Sequence, residues 1–64
     1  MSGGGIIIQR AAKLIPAIMD PSFYNELSTD DKNRAELISV AGAAAASSAD
    51  VHWMAQKLAD LTFC

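Results

Sequence analysis

From Leu37 to Leu61, apolar or small residues recur at alternating spacings of three and four: Leu37, Val40, Ala44, Ser47, Val51, Met54, Leu58 and Leu61. A strand places its inward residues at a spacing of two, so this rhythm argues against a sheet and marks a helical seam of heptad type. Ser47 is the only polar member. The neighbouring file Ala41, Ser48, Ala55 and Thr62 is small throughout, as are Gly42 to Ser48, which suits close approach by another helix.

Two architectures compete over the middle of this stretch. The unbroken phase predicts one long helix through Ser47. Against it, Ser47 followed by Asp50 has the spacing of an N-terminal capping box, which would start a separate helix at Ser47–Asp50. The preserved alternation on both sides favours the continuous helix, with a three-helix mini-domain as the alternative.

Upstream, Ile7, Ala11, Leu14 and Ile18 form an apolar stripe, with Ile8 and Ile15 beside it and Gln9, Arg10 and Lys13 away from it. That pattern predicts an amphipathic first helix over Gly5 to Met19. Pro16 lacks an N–H and crowds the carbonyl of Ala12, so a kink or break is expected there. The glycines before it make residues 1–5 read as a flexible lead-in. Asp20-Pro21 opens a short connector turn through Phe23, Tyr24 and Leu27. Ser28 then caps the second helix, with Asp31 at the reciprocal position and an Asp30–Arg34 pair four residues apart. The fold class expected is all-α: over residues 1–64, a single helical hairpin of a short, Pro16-kinked first helix against a long second one.

Composition explains why such a hairpin should need help. A chain of 64 residues buries only about 60% of its unfolded surface, so its own core gives marginal stability. Cys64 is the only cysteine and His52 the only histidine, so neither an internal disulfide nor a metal site is expected, and no cofactor motif is present. Oligomerisation or docking onto a partner is left to complete the fold.

Charge and hydropathy narrow the partner. The formal net charge is -2, and Arg10, Lys13, Lys32, Arg34 and Lys57 never cluster beyond a pair, which argues against nucleic acid. No apolar run approaches the roughly 18–20 residues of a transmembrane helix; Arg10 and Lys13 beside the first stripe leave only a weak membrane-surface association open. Residues 1–5 carry no charged side chain ahead of Ile6–Ile8, unlike a secretory signal. A cytoplasmic location is expected, or one within a larger intracellular or viral assembly.

Catalysis needs titratable groups converging in a pocket. The carboxylates here are scattered over capping and solvent-facing positions, His52 has no ligand or base partner at a useful spacing, and Cys64 lies where a helix dipole opposes a thiolate. The expectation is a non-enzymatic protein. Trp53 falls off the seam, and with Phe63, Phe23 and Tyr24 it could form an aromatic patch for a protein partner or another copy. The leading functional expectation is a protein–protein interaction module, a small structural or adaptor subunit of a larger assembly. The alternative is a small inhibitor or regulator that blocks a partner enzyme, of the phage-accessory type.

Overall fold

In the computed structural model, residues 4–63 are described, with side chains through Thr62; residues 1–3, the Phe63 side chain and Cys64 lie outside them. The order is α1 (Gly4–Ile18), α2 (Pro21–Tyr24), α3 (Thr29–Ala41), a 3-10 turn (Ala43–Ala45) and α4 (Ser48–Phe63). The all-α class holds, with no strand among the described residues.

α1 begins earlier than the glycine lead-in suggests. Gly4 and Gly5 are already helical, and Ile7 in the same turn packs against the core, which offsets the entropy the glycines lose. Pro16 does not end the helix: α1 continues through it to Ile18. Its missing N–H costs one hydrogen bond in the last turn, where Pro16 is exposed and water can reach the released carbonyl. Met19 N–H still donates to Ile15 O at 3.0 Å, closing the helix.

Asp20 is extended (φ -61, ψ 131) with Pro21 at the first helical position, and its carbonyl accepts from Phe23 and Tyr24 N–H at 2.9 and 2.8 Å. The connector is therefore a single α-turn. At Ser28 the hydroxyl accepts from Asp31 N–H at 3.2 Å, so half of the predicted capping box forms. The Asp31 carboxylate turns to Lys57 instead.

The long second helix of the hairpin does not exist. α3 stops at Ala41 because Gly42 adopts φ 92, ψ 164, a region open almost solely to glycine. The 3-10 turn follows, and then Ser47 and Asp50 form the complete reciprocal box. Ser47 N–H donates to Asp50 Oδ2 and Asp50 N–H to Ser47 Oγ, both at 3.1 Å. The break at Ser47–Asp50, offered as the alternative, is the observed one. Four orphan N–H groups at a helix start need acceptors, and this box supplies one while tying down its own first residue.

The seam breaks with it. Val51 and Met54 are buried at 6% and 0% exposure, and Leu58 and Leu61 pack against the core while half-buried. Leu37, Val40 and Ala44 are all exposed, the first two at 71% and 87%. α3 instead turns Ala35 and Ile38 inward to meet Ala11, Ile18, Leu27, Val51 and Met54. Rotating α3 to bury Leu37 and Val40 would drag Asn33, on the same face, into apolar surroundings and swing Asp31 and Arg34 off their α4 partners. α1 is the hub, touching α2, α3, the 3-10 turn and α4. Ala43 and Ala46 pack on the core where α1 passes the turn, so the small residues do allow close approach, but by a loop and not by a continuous helix. The shortest extent is only 16 Å, about two helices deep, so every helix keeps an open side.

Candidate interaction surface

Five polar contacts hold α3, and they reach three places: Tyr24, the Asp50 and Trp53 end of α4, and Lys57. Tyr24 Oη donates to the Glu36 carboxylate, while the Lys32 ammonium lies 5.7 Å from the Tyr24 ring centroid. The Arg34 guanidinium stacks over Trp53 at 4.7 Å from the ring centroid and reaches Asp50 Oδ1 at 3.7 Å. Arg34 thus pairs with Asp50 and not with Asp30; the tertiary partner offers a carboxylate and an aromatic face together. Asp50 uses one oxygen for this pair and the other for its cap. Lys57 Nζ meets Asp31 Oδ2 at 3.0 Å. Residue numbers along α3 and α4 run in opposite senses across these pairs, so the two helices are antiparallel.

Two titrations respond to this setting. The Lys57 ammonium, bonded to Asp31, outweighs partial burial and holds the Asp31 carboxyl below the usual value. The hydrogen bond to Glu36, then desolvation and the Glu36 charge, push the Tyr24 phenol up.

The predicted aromatic patch is not assembled. Trp53 is half-buried, packed on the core and covered by Arg34. Tyr24 is half-buried on α2 and tied to Glu36. Arg34 and Glu36 are two residues apart, hence on opposite sides of a helix, so Trp53 and Tyr24 flank α3 on opposite sides. Phe23 is half-buried on α2. The Phe63 side chain is outside the described residues. Trp53, expected to lie off the core seam, packs against the core instead, and a neighbouring helix supplies the cation that covers it, which no spacing within α4 reveals.

What the fold leaves open is apolar and lies elsewhere. On the outer side of α3, Asn33, Glu36, Leu37 and Val40 line a shallow depression of ≈ 340 Å³, with exposed Ala41 and Ala44 beyond it. On the flank of α1 beside α4, Ile6 is 61% exposed and shares its face with exposed Arg10 and Lys13; α1 carries no carboxylate. A second depression of ≈ 260 Å³ lies between Arg10, Lys13 and Leu14 of α1 and Val51 and Ala55 of α4, below the size of an ordinary small-molecule site. Sequence reasoning placed Leu37 and Val40 inside. The signal that could have moved them out is Gly42, a helix-stop residue directly after Ala41.

Among the described residues no polar or charged side chain is buried and no three His, Cys, Asp or Glu side chains gather as metal ligands would. No described helix is long and apolar enough to cross a membrane. Compared with known proteins, the chain matches no family model, no curated protein and no solved structure.

Proposed function

We propose that this chain is a non-enzymatic protein–protein interaction module, a small structural or adaptor subunit of a larger assembly, and that it docks through the outer side of α3. The observation that carries the reading is the exposure of Leu37 and Val40, 71% and 87%, side by side on one helix face. Large apolar side chains grouped this way mark interaction surfaces far more often than lone ones do. A domain two helices deep also gains more from covering such a face than a large one would.

Affinity capture from the native source tests the reading, comparing the wild-type chain with the Leu37→Lys, Val40→Lys double variant. Both positions are exposed and lysine is a good helix former, so the fold should survive, as circular dichroism would verify. Loss of the captured partner from a folded variant supports the reading; unchanged capture removes it. The inhibitor reading has less support, because Trp53, its anchor, is already covered by Arg34.

A further inference from the structure

Resting on the reading above, we infer that the occupant of the α3 face is a second copy of this chain, which presents the exposed flank of α1, so that copies join head to tail. The charge distribution is the first ground. α1 holds two of the five basic residues and none of the seven carboxylates, whereas Asp30 and Glu36 flank the apolar residues of the outer α3 face. Among the described residues Arg10 and Lys13 make no ion pair.

Register is the second ground. Ile6, Arg10 and Lys13 run along α1 at spacings of four and three; Val40, Glu36 and Asn33 run back along α3 at the same spacings. Laid antiparallel, Ile6 meets Val40, Arg10 meets Glu36 and Lys13 meets Asn33, over about 10 Å on each helix. Sliding by one turn sets Ile6 on Leu37 and Lys13 on Asp30 but puts Arg10 on Asn33 and leaves Glu36 without a base, so the register that pairs Arg10 with Glu36 is the one inferred. A symmetric pairing of two α3 faces would leave Ile6, Arg10 and Lys13 uncovered.

The fold then forces the contact to lie between copies. α1 and α3 meet through their inward residues, Ala11 and Ile18 against Ala35 and Ile38, while Arg10 and Lys13 border α4 at Val51 and Ala55, so the two exposed faces do not meet within one copy. Each copy carries one of each face, and an unlike pairing of this kind leaves a free face at both ends. It grows into a ring or a filament and does not stop at two.

Sedimentation velocity on the full chain tests this, from about 10 μM to 1 mM, a range suited to a small interface. Wild type should grow past the dimer with concentration. Arg10→Glu and Glu36→Arg should each weaken association about tenfold or more. Their equimolar mixture should regain growth as an alternating assembly, because both junctions between unlike copies join opposite charges and both junctions between like copies join equal ones. The double swap in one chain should restore growth. Glu36 also holds Tyr24, so Val40→Lys, at an 87% exposed position, serves as a disruptor that cannot act through the fold.

A wild type that stays monomeric at 1 mM, stops at a dimer, or ignores Arg10→Glu overturns the inference. So does a mixture that fails to regain growth while the double swap remains folded. Co-sedimentation with phosphatidylglycerol vesicles that is lost with Arg10→Glu but kept with Val40→Lys would make the α1 face a lipid contact and overturn it too. A monomeric wild type whose native partner is lost with Val40→Lys sinks self-association and leaves the interaction module standing; a monomer whose capture is unaffected sinks both.

Discussion

At the scale of single residues, burial orders the expected costs of truncation. Met54 is fully enclosed, so Met54→Ala should cost about 2–5 kcal/mol through lost burial and the cavity left behind. Leu58, half-buried, should cost clearly less than Met54, and Leu37→Ala should stay within about 0.5 kcal/mol. Denaturant melts of the three variants at low concentration measure this; a Leu37→Ala as damaging as Met54→Ala would put the seam back in the core. Asp31 gives a pH signature. Its folded pKa is depressed by Lys57, so its stabilising contribution is present above the unfolded carboxylate value and is lost as pH falls through the folded one. Asp31→Asn should therefore flatten the acid side of the stability profile. An unchanged acid slope would mean the pair is fully screened in solution.

At the scale of elements, the decisive question is what stops α3 and starts α4. Ser47→Ala removes the hydroxyl that Asp50 N–H donates to and should cost about 1 kcal/mol, whereas in mid-helix alanine would be neutral or favourable. Gly42→Ala tests the other side of the break. Open space surrounds its Cβ position, so any cost is backbone strain alone, about 1–3 kcal/mol at φ 92. If thermal melts show both variants unharmed or stabilised, α3 and α4 form one continuous helix. The same elements show how far local pattern reaches. The stripe Ile7, Ala11, Leu14 and Ile18, the Asp20-Pro21 start and the Ser28 cap were readable because each depends on residues within one or two turns.

At the scale of the whole molecule, two separate open faces make stability depend on neighbours. A partner that binds only the folded form raises its stability by mass action. The thermal midpoint of the wild type should therefore climb by several degrees between about 10 μM and 1 mM, given the few degrees per kcal/mol of a small domain. Val40→Lys should show a midpoint independent of concentration. A flat wild-type curve would leave the domain standing on its own core of Ala11, Ile18, Leu27, Ala35, Ile38, Val51 and Met54.

The all-α class, the amphipathic first helix and the connector turn follow from local sequence, while at Ser47–Asp50 local sequence offered a capping box only as the alternative to a continuous helix. It could not determine whether the rhythm from Leu37 to Leu61 was one helix or two, because periodicity records which residues share a face and is blind to a change of direction between them. Gly42 and the cap make that change, after which Val40 and Val51 belong to unrelated faces. Which side of α3 goes inside was settled by long-range contacts. Apolar residues lie on both sides, and the choice fell to partners distant in sequence: Lys57 for Asp31, Asp50 and Trp53 for Arg34, and Tyr24 for Glu36. Those contacts fix the rotation that covers Trp53 and leaves Leu37 and Val40 facing outward.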